Sequence, residues 1–481
     1  MGARVIARLL GVLLAVLGGT MGLCLPSAIH YGEGHAGWAL FFSMLITAAV
    51  GGVLFAWGRT SRLTVYRREA LAVVGLGWLL IGLFGALPFY LGNAFDSFVD
   101  SYFETVSGFT TTGATVFTDI EIVPKSLLLW RMTTHWLGGM GIIVLFVAIF
   151  PQLGVGAKQM FRSEVPGPIT EGLRPKIKET ALALWKIYTF LTLVATALLM
   201  LCGMDFFEAL CHAFATLATG GYSTKNASIG HYDSVSIDLV ITVFMFLAGI
   251  NFSLYYLAMR GRFQAFWRNG EFRVYLAITT VVSLLIALDI YDRHGEFLQA
   301  LRYASFQTVA ILTTTGFGTD NFDAYPPFSK ILLVCLMFVG GCAGSTAGGM
   351  KISRLLVVFK VAYQETYRVF RPQVRMSVRI GRSVVNEEIV RSILVFFSSF
   401  VVLFALGSIF MAGLGLDIVT ASTSVAACLG NIGPGLARVG ALENYAHIPA
   451  IGKIFLSFCM MLGRLELGTL LVLFVPDFWR R

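Results

Sequence analysis

One short glycine-containing motif occurs four times in this 481-residue chain, at intervals of roughly a hundred positions. The copies are Thr111-Thr112-Gly113-Ala114-Thr115, Ala218-Thr219-Gly220-Gly221-Tyr222, Thr314-Thr315-Gly316-Phe317-Gly318 and Asn431-Ile432-Gly433-Pro434-Gly435. Before each lies an apolar stretch, at 98–110, 206–217, 297–313 and 418–429. Apolar runs of about 10–14 residues are too short to cross a bilayer and read as re-entrant helices. Longer apolar segments flank each of them. The repeating unit is therefore span, re-entrant helix, extended loop, span. Four such units in one chain can arrange around a common axis, which brings the four loops to one point.

Hydrophobic residues make up 57% of the chain and charged residues 13%, with a mean hydropathy of +0.77. That is about half the charge of a soluble protein, so the chain reads as an all-α polytopic membrane protein. Spans of about 20 apolar residues fall near 5–26, 37–57, 70–92, 127–150, 181–203, 236–258, 273–291, 328–359, 393–413 and 450–475. Ten is an even number, which puts both termini on one side. The segments 1–8, 58–69, 151–180, 259–273, 351–392 and 476–481 carry 26 Lys/Arg, and the alternate loops carry 6. The positive-inside rule makes the first set, with both termini, cytoplasmic. The outer loops hold 15 Asp/Glu, among them Asp96, Asp100, Glu104, Asp205, Glu208, Asp320 and Asp323. An acidic vestibule of this kind concentrates cations at the pore mouth. The net charge of +9 thus reflects a basic inner face, not a nucleic-acid surface.

The first span follows Arg4 and Arg8 and has the look of a signal peptide. A second span follows closely, and no small-residue cleavage site is evident, so it reads as an uncleaved helix. Residues 1–57 form an extra pair of helices outside the repeat. The pore units occupy 58–155, 156–262, 263–365 and 366–481.

Ion hydration says what four converging glycine loops can do. A cation entering a low-dielectric medium loses on the order of tens of kcal/mol of hydration. A ring of backbone carbonyl oxygens can replace that shell. Successive carbonyls align along an axis only where some residues take positive φ, a freedom that glycine has. Threonine before the glycine adds a hydroxyl to its carbonyl. The third copy, Thr-Thr-Gly-Phe-Gly, is close to the Thr-Val-Gly-Tyr-Gly filter of potassium channels. The candidate filter residues are Thr111, Thr112 and Gly113; Ala218, Thr219 and Gly220; Thr314, Thr315 and Gly316; and Asn431, Ile432 and Gly433. The first two of each triplet are the expected K⁺ ligands. Asn431 and Ile432 depart from the threonine-rich pattern, so the fourth corner is expected to be the least regular.

Two anomalies sit below that level. The segment Gly340-Gly341-Cys342-Ala343-Gly344-Ser345-Thr346-Ala347-Gly348-Gly349 places glycines at 340, 341, 344, 348 and 349 in the middle of an apolar run. Glycine costs about 1 kcal/mol relative to alanine inside a helix. Non-helical backbone at membrane depth survives only where it is buried in protein or lines water. The expectation is a broken helix with a loop below the filter, built on Gly340, Gly341, Gly344, Ser345, Thr346, Gly348 and Gly349. The second anomaly is Arg464, inside an otherwise apolar span. A mid-membrane arginine costs at least about 2.5 kcal/mol and normally faces a cavity or a partner. Repeat against repeat, Arg464 aligns with Gly139, Gly249 and Gly341. One unit thus carries a cation where the others carry nothing, a barrier to K⁺ and an anchor for the loop.

The remaining chemistry is sparse. The seven cysteines show no CxxC spacing and the seven histidines no HExxH or HxxxH pattern. His30, His35, His135 and His212 read as interfacial residues. Gly344-Ser345-Thr346-Ala347-Gly348 imitates a nucleophile elbow but has no evident His/Asp partner, and no nucleotide-binding glycine fingerprint is present.

With these motifs in place, the chain resembles the Trk/Ktr/HKT superfamily of potassium transporters, most of all its bacterial TrkH type. The likeness covers the whole chain, including the two extra N-terminal helices that set that type apart from KtrB. It implies one filter glycine per unit: Gly113, Gly220, Gly316 and Gly433. A serine replaces the first of these in some sodium-permeable plant members, so four glycines favour K⁺ over Na⁺. The resemblance makes 340–350 the intramembrane loop that closes the pore, with Arg464 beside it. It implies K⁺ as the transported ion, no organic cofactor and no enzymatic activity in this chain. A homodimer in a bacterial inner membrane is implied, with a cytosolic nucleotide-binding ring subunit of the TrkA kind. The basic segment 351–392 is where that partner, or anionic membrane lipid, would make contact. Two rivals stay open: a less selective channel passing Na⁺ or NH₄⁺, and a polytopic membrane enzyme whose acidic loops bind a polar headgroup. The second leaves the fourfold periodicity unexplained.

Overall fold

The structure is a computed structural model that describes residues 2–59, 65–141, 177–373, 377–380, 383–465 and 467–480. Its regular structure is helical apart from a minimal hairpin, Arg379–Ile380 against Ser383–Val384, among the described residues. Six helices are long and apolar enough to cross a membrane: Ala3–His30, Gly34–Gly58, Arg68–Leu91, Ala181–Leu201, Gly270–Asp289 and Glu387–Gly413. They fall on six of the expected spans.

The other four expected spans are the ones that follow a glycine motif, and they differ from simple rods. Residues 236–258 form Val235–Ala248 and Phe252–Met259, bent by 93°. Residues 450–475 form Ala450–Arg464 and Gly468–Phe474, bent by 116°. Residues 328–359 divide into Pro327–Met337 and Ile352–Phe370, with the glycine-rich stretch between them. The span expected at 127–150 begins as Lys125–Gly139, and its second half lies outside the described residues. Backbone groups freed by a break at membrane depth need protein partners, and here two breaks supply each other. Gly249 O accepts from Cys342 N–H at 2.9 Å, and Phe252 N–H donates to Gly344 O at 2.9 Å.

The four short helices stand where the re-entrant stretches were expected: Phe98–Phe109, Phe206–Ala218, Phe297–Leu312 and Ile418–Gly430. Three start on a side-chain cap. Ser97 Oγ accepts from Val99 N–H, Asp205 Oδ1 from Glu208 N–H and Asp417 Oδ1 from Thr420 N–H. Such caps satisfy amides that the first turn leaves open, and so set where a helix begins. Each helix ends at its glycine motif. The C-terminal end of a helix carries about half a negative charge, and four such ends are directed at the motifs.

The N-terminal pair packs at close range through small residues. A Cβ on Gly11 would lie 2.6 Å from Phe55 N, and one on Gly51 2.8 Å from Gly11 O. The connection between the pair clamps the start of Lys125–Gly139. The Glu33 carboxylate accepts from Lys125 N–H (2.6 Å), Ser126 N–H (2.9 Å) and Ser126 Oγ–H (2.6 Å), capping Lys125–Gly139.

Candidate functional site

At the end of each short helix the chain enters the left-handed region, at Thr111 (φ 54°), Thr219 (55°), Thr314 (59°) and Asn431 (55°). Two residues later stands a glycine with positive φ: Gly113 (84°), Gly221 (78°), Gly316 (77°) and Gly433 (96°). Left-handed backbone costs a non-glycine residue about 1–2 kcal/mol, so its recurrence at four equivalent positions marks a conformation imposed by the surroundings.

This geometry corrects the register of the second copy. Its equivalents of Thr111, Thr112 and Gly113 are Thr219, Gly220 and Gly221, so Ala218 and Gly220 lie one position out of step with the sequence alignment. Two adjacent glycines offer the sequence two registers, and only the position of the helix end decides between them. Ala218 is the last residue of its helix.

The four strands close into a ring. A Cβ on Gly113 would overlap the carbonyl oxygen of Gly220, one on Gly221 that of Thr315, and one on Gly316 that of Ile432. A Cβ on Gly433 would lie 2.6 Å from Thr112 O, which completes the circuit. Each glycine thus abuts the residue that precedes the next strand's glycine. Thr111, Thr112, Thr219, Thr314, Thr315, Asn431 and Ile432 are all fully buried. The fourth corner has the largest glycine φ of the four and the loosest approach.

Hydrogen bonds hold this backbone from behind. Thr110 and Thr112 pair through their hydroxyls at 2.7 Å, as Thr313 and Thr315 do at 2.8 Å. Asn431 Nδ2 donates across strands to Thr112 Oγ1 at 3.0 Å, and Tyr445 OH to Gly433 O at 2.7 Å. A buried ion pair, Arg131 Nε to Glu104 Oε1 at 2.6 Å, ties Lys125–Gly139 to the short helix Phe98–Phe109 before it. Glu104 also accepts from Val116 N–H, and Arg131 donates to Ser223 O. The sequence reading placed Glu104 in the outer vestibule and passed over Arg131. Opposite charges inside two apolar segments were the signal available.

The vestibule is less acidic than the charge count implies, because most of its carboxylates are engaged. Asp100 pairs with Lys453 (2.6 Å), Glu208 with Lys225 (2.9 Å) and Asp320 with Arg293 (3.7 Å). Asp205 caps a helix, and Asp323 Oδ1 accepts from Ala437 N–H. His135 and His212 are fully buried rather than interfacial. His212 bonds to Glu208 O and Ser223 Oγ within the protein. Among the described residues no cluster of His, Cys, Asp or Glu is placed to hold a metal ion.

The glycine-rich segment is a loop, with Gly340 (φ 77°), Gly344 (73°) and Gly349 (70°) in conformations that favour glycine. It touches the ring directly: Gly348 N–H donates to Thr314 Oγ1 at 2.6 Å. Arg464 holds it from one side, Nη1 donating to Thr346 O at 2.9 Å while Nη2 donates to Gly138 O (2.6 Å) and Gly139 O (2.9 Å). Glu271 holds it from another, accepting from Ala343 N–H (2.8 Å) and Ser353 N–H (2.9 Å). Ser345 Oγ turns inward to Cys342 O, Thr346 Oγ1 bonds to Ala248 O, and Lys351 Nζ donates to Ala347 O. Glu271 was missed by the sequence reading, because a carboxylate at the end of a span looks like ordinary interfacial charge.

The model of the TrkH family, described as cation transport protein, matches residues 37–481. The chain is 39% identical over 482 residues to the Trk system potassium uptake protein TrkH of Escherichia coli (strain K12), covering 99% of each. It is 41% identical over 491 residues to the protein of the same description from Halomonas elongata, covering 100% of each. The crystal structure of the potassium transporter TrkH from Vibrio parahaemolyticus superposes with a TM-score of 0.89 at 36% identity, over 100% of both chains.

Proposed function

The chain belongs to the TrkH family of cation transport proteins, and we propose that it is the pore-forming subunit of a potassium uptake system in a bacterial inner membrane. It is a transporter and not an enzyme. The observation that carries this reading is the closed circuit in which each glycine meets the carbonyl of the next strand. We read the fold as ten membrane crossings with both termini cytoplasmic. The units at 58–155, 156–262, 263–365 and 366–481 surround the pore, and residues 1–57 stand outside it.

K⁺ is held, in this reading, by oxygens of Thr111, Thr112, Thr219, Gly220, Thr314, Thr315, Asn431 and Ile432, with Gly113, Gly221, Gly316 and Gly433 letting the strands approach. Those oxygens stand in for the hydration shell, and the four helix C-termini add favourable potential. Ions then move down their electrochemical gradient. The loop at 340–349 closes the pathway below the filter, and Arg464 both anchors it and opposes a cation there by its charge. Hydrogen bonds from a charged donor contribute about 1.5–3 kcal/mol each, so releasing Arg464 needs a few kcal/mol from outside the pore. A homodimer with a TrkA-like nucleotide-binding ring at the basic segment 351–392 supplies that work in our reading, and anionic lipid contacts the same face.

Expression in a bacterium that lacks K⁺ uptake tests the reading. The chain should restore growth at low K⁺, and Gly316→Asp should abolish the rescue. Normal rescue by Gly316→Asp would overturn the filter assignment. Equal Na⁺ and K⁺ flux through the purified protein in liposomes would instead point to a non-selective cation pore.

A further inference from the structure

The second filter strand lacks the side chains that back its neighbours. Strands one and three carry the hydroxyl pairs Thr110–Thr112 and Thr313–Thr315. The equivalent residues of strand two are Ala218 and Gly220, which have no hydroxyl. Gly220 is not among the positive-φ glycines, so its backbone does not require glycine. Its missing Cβ is explained by one neighbour: the three atoms nearest to a Cβ there are all in the His135 ring, Cε1 and Cγ at 2.6 Å and Nδ1 closer still.

His135 is itself tightly placed. Its ring is fully buried and stacks on Tyr222, the residue after Gly221, at 3.9 Å between centroids and 14° between planes. Arg131, one turn earlier on the same helix, lies 3.4 Å from the Tyr222 ring centroid, and Tyr222 OH donates to Glu104 O at 2.7 Å. The position is also singular in the repeat. His135-Trp136-Leu137-Gly138-Gly139 aligns with Met245-Phe246-Leu247-Ala248-Gly249, Met337-Phe338-Val339-Gly340-Gly341 and Met460-Met461-Leu462-Gly463-Arg464. Three units carry a flexible methionine there, and the unit that faces Gly220 carries a planar, rigid ring.

We propose that His135 is a positioning residue for selectivity: its ring takes the place of the missing side chain at Gly220 and sets where the Gly220 carbonyl stands in the filter. The proposal rests on the filter reading above. Gly220 O is the oxygen that Gly113 abuts, so a shift of this strand changes the ring's width at that level.

Flux of K⁺, Rb⁺ and Na⁺ through the purified protein in liposomes provides the test, with size-exclusion profiles to confirm folding. Gly220→Ala alone should lower K⁺ flux about tenfold or more, because its methyl has no room. His135→Ala with Gly220→Ala should recover most of that loss, since coupled neighbours are not additive. His135→Met with Gly220→Thr, which gives strand two the pattern of strands one and three, should recover it as well. His135→Phe keeps a ring and should keep the K⁺-over-Na⁺ ratio, whereas His135→Ala should lower that ratio about fivefold or more by leaving a cavity behind the strand. Should His135→Ala fail to fold, His135→Met alone serves the same purpose. Full flux in Gly220→Ala, double variants no better than Gly220→Ala, or an unchanged ratio in His135→Ala (or its His135→Met substitute) would each overturn the proposal. Gly316→Asp in the same assay separates the two levels. If it conducts normally the filter reading fails and takes this proposal with it. If it is dead while the His135 and Gly220 variants behave as wild type, only the role of His135 is lost.

Discussion

Arg464 and Thr346, 118 positions apart in the chain, meet through a 2.9 Å hydrogen bond from Nη1 to a backbone carbonyl. The same guanidinium reaches the carbonyls of Gly138 and Gly139. One side chain thus ties the end of Ala450–Arg464 to the glycine loop and to the end of Lys125–Gly139. The residues that align with it in the sequence, Gly139, Gly249 and Gly341, have no side chain to make such a link.

Arg464→Ala should therefore raise resting K⁺ flux. Losing charge-assisted bonds worth about 1.5–3 kcal/mol each loosens the loop and removes the positive charge. Flux through liposomes without any partner protein is the measurement, and unchanged flux would remove Arg464 from the gate. Arg464→Lys should give an intermediate result, because an ammonium lacks the planar fork that reaches three carbonyls.

Glu271→Gln should loosen the loop from its other side. One carboxylate oxygen accepts both from the loop amide of Ala343 at 2.8 Å and from Ser353 N–H in the helix after the loop at 2.9 Å, and the amide replacement offers an oxygen of weaker charge. Resting flux should rise, by less than in Arg464→Ala. Protection of the Ala343 amide against hydrogen exchange should fall, and full protection would exclude the link.

Gly221→Ala tests the register of the second strand. Gly221 has φ 78°, and a Cβ there would overlap Thr315 O. Strain of about 1–2 kcal/mol adds to that clash, so K⁺ flux should fall about tenfold or more. Conduction at the wild-type rate would restore Gly220 as the ring glycine. Gly113→Ser should raise Na⁺ entry relative to K⁺, read from the same ion-substitution assay.

Glu104→Gln should destabilise the protein more than any vestibule carboxylate does. It leaves Arg131 buried without its counter-ion, a change that costs about 3–5 kcal/mol. Exposed pairs such as Arg480–Asp477 contribute about 0–1 kcal/mol. A thermal midpoint in detergent equal to the wild type's would show that Arg131 finds another partner. The double variant Glu104→Gln with Arg131→Met should recover part of the loss.

Much of this was written in the chain. Four glycine motifs, four short apolar helices ahead of them, the glycine-dense segment and the isolated Arg464 all follow from hydropathy and residue type. Those are local quantities, set by a residue's own transfer energy and backbone freedom. Tertiary structure alone decided the rest. The register at Gly220 and Gly221 depends on where a helix ends. The break after Ala248 depends on carbonyls answered by amides of a loop nearly a hundred residues away, which hydropathy cannot register. Glu104, Arg131, Glu271 and His135 matter through the partner that each one meets in space. Such pairing is a property of the packed fold, where a buried charge or ring is stable only beside its complement.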